Sequence, residues 1–243
     1  MIRLPSRRSP GLEDGAPMIY FAHIGKTAGT SFRNAVLKRI GRRRCVFLYS
    51  PTHRIRTREA SEIFFRGFTK GGDNGPAADA VLDYCREQDA RFFATHHNEL
   101  FKRRIPPAAT LAFVREPLAR LVSHYNFSLA SGWIDADLGF PAFMARRRFR
   151  NLQSRSLLMR RYDDIGLICL TERFETSLKA IGETFGLTVR PMRYNVTPAH
   201  PAAIRAADLS REEVEAVRRL HARDFVLYDR ARADFEARWG REA

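Results

Sequence analysis

The chain has 243 residues, enough for one large domain with a substantial core. Hydrophobic residues make up 44% and charged residues 28%, which excludes an intrinsically disordered chain. Lysine and arginine number 42 against 27 aspartates and glutamates, and the formal charge of +15 favours an anionic partner such as a nucleotide, a nucleic acid, an acidic glycan or a membrane surface. Much of that charge sits in arginine runs at 42–44, 103–104 and 146–148. Cys45, Cys85 and Cys169 are scattered, with neither CxxC nor zinc-ligand spacing. That pattern argues for a reducing compartment and against a disulfide framework or a bound metal. No apolar run approaches the roughly 18 residues that a transmembrane helix needs. The expected location is therefore cytoplasmic. Residues 1–17 carry charge but no apolar signal core and read as a flexible arm. Residues 18–243 read as a single domain.

Met18–Ile24 is short, apolar and β-prone, like a buried parallel strand. A small-residue loop, Gly25 to Ser31, follows it. Phe32 to Ile40 then has the periodicity of a helix, with Phe32, Val36, Leu37 and Ile40 on one side. A second strand is expected at Cys45–Tyr49. Residues 67–77, with Gly71, Gly72, Gly75 and Pro76, read as a flexible loop, and 78–89 as a helix. Arg91–Thr95 reads as a strand delivering His96 and His97, and Thr110–Val114 as a strand ending at Arg115. Pro117 suits the first turn of a helix with an apolar stripe through Leu118, Leu121, Val122, Tyr125 and Leu129. A basic helix is expected over 146–161, a strand over 165–170, and a helix over 176–185 closed by Gly186. Ser210 with Glu213 forms a capping box for one long last helix running to Trp239.

Strands alternating with helices predict an α/β fold, a three-layer arrangement with a central, mostly parallel sheet flanked by helices. Ligands in such folds sit at the carboxyl ends of the strands. Lys26, His96 and Arg115 all fall there.

Gly25-Lys26-Thr27 invites a P-loop reading, but Tyr20 occupies the position of the first P-loop glycine and residues 20–24 are strand-like. What remains is Lys26-Thr27-Ala28-Gly29-Thr30-Ser31: a lysine, three hydroxyls and a glycine between a strand and a helix. Such a loop can cradle a phosphate-like group with backbone N–H groups, hydroxyls and a point charge. A plain βα turn is the structural alternative. Arg115 at a strand end can clamp a second anion, and Ser123 lies off the apolar stripe of the following helix.

Phe21 to Phe32 resembles the 5′-phosphosulfate loop of the carbohydrate sulfotransferases related to heparan sulfate 2-O-sulfotransferase. Phe113 to Tyr125 resembles the 3′-phosphate motif of the same family. Asn151-Leu-Gln153, Glu172-Arg-Phe174 and Asn195-Val-Thr197 resemble three of its weaker segments, in order, so the resemblance spans about residues 18–236. It departs at Gly25, where the family usually has proline, and at Thr95-His96-His97, where glycine often precedes one histidine. The resemblance implies a P-loop-like fold that binds 3′-phosphoadenosine-5′-phosphosulfate (PAPS) and needs no metal. Lys26, Thr27, Ala28, Gly29, Thr30 and Ser31 would hold the phosphosulfate, with Lys26 stabilising charge on the leaving oxygen. Arg115 and Ser123 would hold the 3′-phosphate. His96, or else His97, would be the general base. The acceptor would be a glycan hydroxyl, with the basic runs suited to an acidic one, and Asn151, Gln153 and Arg155 would line its cleft.

Three rivals make different demands. A small-molecule kinase needs a complete P-loop and an acidic Mg²⁺ ligand at a strand end. A nucleic-acid-binding protein needs a recognition motif, and no zinc finger, helix-turn-helix or RNP-type motif is present. A sulfotransferase fold that only binds glycans has no need of Lys26 and Arg115.

Overall fold

The computed structural model describes residues 18–157, 162–192 and 199–240. The expected arm 1–17 and the Asn195-Val-Thr197 segment lie outside the described residues. Five strands, β1 (Ile19–Ala22), β2 (Cys45–Leu48), β3 (Phe92–Thr95), β4 (Thr110–Val114) and β5 (Leu167–Leu170), form one sheet in the order β2-β3-β1-β4-β5. Every strand pair is parallel. All five strands are fully buried, as continuous apolar runs covered on both faces should be.

Helices α1 (Gly29–Ile40), α2 (Arg58–Gly67), α3 (Gly75–Glu87), α4 (Asn98–Phe101), α5 (Pro117–Ala130), α6 (Gly139–Ala145), α7 (Leu152–Leu157), α8 (Phe174–Phe185), α9 (Arg211–Leu220) and α10 (Ala222–Trp239), with short 3₁₀ turns between them, flank the sheet among the described residues. The architecture is the expected α/β fold with a parallel sheet between helices. No described helix is long and apolar enough to cross a membrane.

The chain runs outward from central β1 to β2 and β3 on one side, then to β4 and β5 on the other. That reversal opens a crevice at the carboxyl end of β1, between the loops after β3 and β4. The main core wraps the sheet, with Phe21, Phe32, Phe92 and Phe113 fully buried at its centre. A second cluster joins α5, α6 and α9 through Leu121, Tyr125, Phe143, Phe149 and Val217.

Three helical expectations change. Residues 67–77 are only partly loop. The amide nitrogen of Thr69 donates to Asn74 Oδ1 (2.8 Å), and Asn74 Nδ2 donates back to Thr69 O (3.0 Å). These bonds tighten the turn, and α3 starts at Gly75 with Pro76 in its first turn. The basic helix expected from 146 is broken at Asn151, whose φ is +51°, leaving a 3₁₀ turn at Arg147–Phe149 and then α7. The single last helix is two. The capping box at Ser210 and Glu213 starts α9, and the chain breaks at His221 before α10.

Candidate functional site

Six residues, His23 to Ala28, connect β1 to α1. Lys26 and Ala28 both have positive φ, +70° and +61°, although neither is glycine. Left-handed residues in a tight loop curl successive N–H groups to one side, the geometry of an anion nest. Helix α1 then opens on Gly29, Thr30 and Ser31, so its first amides and its positive dipole end face the same space. Gly29 is required by packing: a Cβ there would collide with the ring of His23.

That space is a cleft of about 1260 Å³, lined from all five strand ends, including the β1–α1 loop, Tyr49 to Ile55, His96 to Asn98, Arg115 and Thr171. Lys26, Ala28, Gly29, Thr30, Ser31, His96, His97, Arg115 and Ser123 all line it. Thr27 does not. Its side chain is turned inward and fully buried, and its hydroxyl donates to Ile24 O (3.0 Å), bracing the loop from beneath.

Lys26 Nζ sits 4.1 Å from the centroid of the Phe127 ring. Burial and the positive charge of Arg115 lower its pKa to about 8. Arg115 Nη1 donates to Lys26 O (3.4 Å), so the two cations share one region of the cleft. Arg115 and Ser123 also border a smaller recess of about 400 Å³, whose wall includes Ala119, Asn126, Ala199 and Ala203.

Nδ1 of His96 lies 2.8 Å from the carbonyl oxygen of His23. A carbonyl only accepts, so Nδ1 carries the proton and Nε2 keeps its lone pair. Asn98 Nδ2 donates to the same carbonyl (3.3 Å), and Tyr20 Oη donates to Asn98 Oδ1 (2.9 Å). The His96 ring packs against those of His23 and Tyr49, with centroids 4.2 and 4.9 Å away. The surrounding walls push its pKa down to about 4, although its side chain remains open to the water of the cleft, so it is neutral at pH 7. His97 also reaches the cleft because the chain has already turned, but its ring packs among Phe64, Phe65 and Phe68.

Asn151, Gln153 and Arg155, expected to touch an acceptor, lie outside the cleft lining. Asn151 Oδ1 accepts from the amides of Arg223 and Asp224 (3.1 and 3.4 Å) at the start of α10. Gln153 is fully buried and brackets the backbone of Arg115: Oε1 accepts from its N–H (2.8 Å) and Nε2 donates to its carbonyl (2.9 Å). Arg155 pairs with Glu99 (3.0 Å). The sequence reading put these polar side chains in the acceptor cleft, whereas a distant segment of chain claims each of them.

The cleft also holds residues that the motifs did not single out: His23, Arg33, His53, His124 and Trp133. His23 stood inside the loop segment, and its place at a strand end was a usable signal. Arg33 was another, a cation one turn beyond Gly29 in the helix that follows the loop. Nothing in the sequence brings His53 or Trp133 to this edge. Among the described residues no group of three or more His, Cys, Asp or Glu side chains is placed to hold a metal ion.

No relative among curated proteins matches the chain. Residues 14–131, just under half of the chain, match the sulfotransferase family, and this span contains the β1–α1 loop, His96, Arg115 and Ser123. That match, on a five-stranded parallel sheet with the β1–α1 loop at its switch point, supports sulfuryl transfer as the general chemistry of this domain.

Proposed function

We propose that the protein is a PAPS-dependent sulfotransferase that moves a sulfuryl group to a hydroxyl of a glycan or glycoconjugate. We place it in the group related to heparan sulfate 2-O-sulfotransferase. The observation that carries the reading is the tautomer of His96. Its Nδ1–H is committed to the carbonyl of His23, leaving a basic Nε2 in the cleft that the phosphosulfate-type loop borders.

In this reading the donor is a substrate spanning two anion positions. The N–H groups and hydroxyls at Gly29, Thr30 and Ser31 hold its 5′-phosphate, with Thr27 bracing the loop. Arg115 and Ser123 hold its 3′-phosphate, and charge-assisted hydrogen bonds of this kind contribute roughly 1.5–3 kcal/mol each. His96 Nε2 takes the proton of the acceptor hydroxyl as the new S–O bond forms. The bond from sulfur to the bridging oxygen breaks, and Lys26 stabilises the charge left on that oxygen. Transfer of this type is in-line and depends on positioning and electrostatics. A kinase reading has less support, since no aspartate or glutamate among the described residues lines the cleft to hold Mg²⁺.

A thermal-shift series tests the donor. 3′-Phosphoadenosine 5′-phosphate (PAP), the desulfated product, should stabilise the protein far more than AMP or ATP. At about 100 times its Kd the gain is roughly 2.7 kcal/mol. Equal shifts with ATP and PAP would overturn the assignment. Transfer of radiolabel from PAPS to hydroxylated acceptors should also persist in EDTA.

A further inference from the structure

One corner of the cleft has more hydrogen-bond donors than acceptors. Arg33 of α1 is 5% exposed, lines the cleft, and lies 4.9 Å from the Tyr49 ring centroid. Its Nε is buried without a hydrogen-bond partner among the described residues. Its Nη1 is 3.2 Å from His53 Nε2, while His53 Nδ1 is 3.2 Å from the amide nitrogen of Ile55. Both contacts ask the imidazole to accept. A neutral imidazole has one accepting nitrogen and a protonated one has none. In every protonation state at least one N–H therefore faces another N–H. With no carboxylate on the cleft wall to compensate, this is an expensive way to bury a cation.

The sheet order says which molecule can relieve it. Arg115 follows β4, on one side of β1, whereas His96 follows β3 and Tyr49 to His53 follow β2, on the other side. A donor held at Arg115 and at the β1–α1 loop presents its sulfur toward His96. In-line transfer brings the acceptor from the opposite side, which is where Arg33 and His53 stand. Tyr49 links the two histidines, its ring centroid 4.9 Å from that of His96 and 4.7 Å from that of His53. An acceptor can therefore reach both with one sugar unit and its neighbour.

We propose that Arg33 and His53 bind an oxyanion carried by the acceptor, a carboxylate or a sulfate monoester, close to the hydroxyl that His96 deprotonates. The Tyr49 hydroxyl already accepts from Arg33; the oxyanion supplies the further acceptor that the donor excess at this corner calls for, taking an N–H of Arg33 and that of His53 when Nε2 is protonated. This deepens the sulfotransferase reading and rests on it.

The test is calorimetric binding to protein saturated with PAP, so that the donor's anion positions are filled. The probes are p-nitrophenyl glucoside, its 6-carboxylate and its 6-sulfate. At least one anionic probe should bind about tenfold or more tightly than the neutral glucoside, the scale of one charge-assisted pair. Arg33→Gln and His53→Gln should each remove that preference while leaving PAP affinity intact. Equal or undetectable binding of all three probes overturns the inference, as does a preference that survives both substitutions. If Arg33→Gln keeps its unliganded Tm but loses PAP affinity, the oxyanion belongs to the donor and the inference is wrong. Should Arg33→Gln fail to fold, His53→Gln, at a half-buried side chain, decides alone. If the unsubstituted protein does not bind PAP, the sulfotransferase reading falls first and takes this inference with it.

Discussion

At the scale of single residues, the proposed base His96 and the proposed donor clamp Arg115 are each held by polar contacts that involve backbone. His96 is oriented through the carbonyl of His23, so removing its imidazole deletes the accepting Nε2 and little that faces the donor. His96→Ala should lower kcat by about 10²- to 10⁴-fold and leave the Kd for PAP nearly unchanged. His97→Ala, which empties a phenylalanine-lined site, should matter less for kcat. Full activity in both variants would remove this segment from the mechanism. Gln153 is the corresponding support for Arg115, with one bond to its N–H and one to its carbonyl. Asp224 holds Gln153 in turn, accepting from the amides of Gln153 (3.2 Å) and Ser154 (2.8 Å). Gln153→Ala should reduce affinity for PAP by about tenfold, the worth of one lost charge-assisted contact, and affinity for AMP much less. A purely structural role would weaken both nucleotides alike, so the ratio of the two affinities is the readout.

At the scale of elements, helix ends carry both stability and placement. The α9 start is satisfied reciprocally: Glu213 N donates to Ser210 Oγ (3.2 Å), and Ser210 N donates to Glu213 Oε2 (2.8 Å). Ser210→Ala should cost about 1 kcal/mol in urea denaturation without changing turnover, since the cap is exposed and not part of the cleft lining. An unchanged midpoint would show that the cap contributes nothing measurable. The start of α10 is different, because Asn151 caps it from another part of the chain at a sequence separation of 72. That bond ties α10 to the turn before α7, and α7 carries the Gln153 that brackets Arg115. The last helix is thereby linked to Arg115, the proposed donor clamp.

At the scale of the whole molecule, the histidines set an acid limit. Burial and neighbouring cations hold His53 and His96 near pKa 4 and His124 near 3, and hold His23 well below the usual value. His97 and His221 are lowered as well. A group whose folded pKa lies below its unfolded value of about 6.5 stays neutral in the fold while the unfolded chain takes up protons. Its stabilising contribution is complete above about pH 6.5 and is lost as pH falls toward the folded value. A buried neutral imidazole such as that of His23 contributes at most about 1.4 kcal/mol per pH unit over that window, and His96, which is open to the water of the cleft, contributes far less. Urea midpoints should therefore be flat from pH 8 to 7 and fall steeply between pH 6.5 and 4. A midpoint that holds constant down to pH 5 would show that these groups titrate normally.

Local pattern sufficed for β4, whose bounds Thr110–Val114 were read from its apolar run alone. It sufficed also for the α9 cap and for a loop with the residue types of an anion cradle at a strand end. These features depend on side-chain period and short-range hydrogen bonding, which are written into adjacent residues. The sulfotransferase resemblance was legible for the same reason, since its two anion motifs are each contiguous. Long-range pairing was not legible. Asn151, Gln153 and Arg155 look like any polar face in sequence, and only the packing of α10 and α4 against α7 turns them from the cleft to Arg223, Arg115 and Glu99. Thr27 reads as one more hydroxyl of the loop until the positive φ of Lys26 and Ala28 rotates it inward. The orientation of His96 comes from a hydrogen bond spanning 73 residues, which no local pattern encodes. The sequence by itself determined the fold class and supplied the candidate side chains for the proposed chemistry. The tertiary structure decided which of them meet, because a sheet edge gathers the ends of five separated segments and their buried polar groups must find partners there.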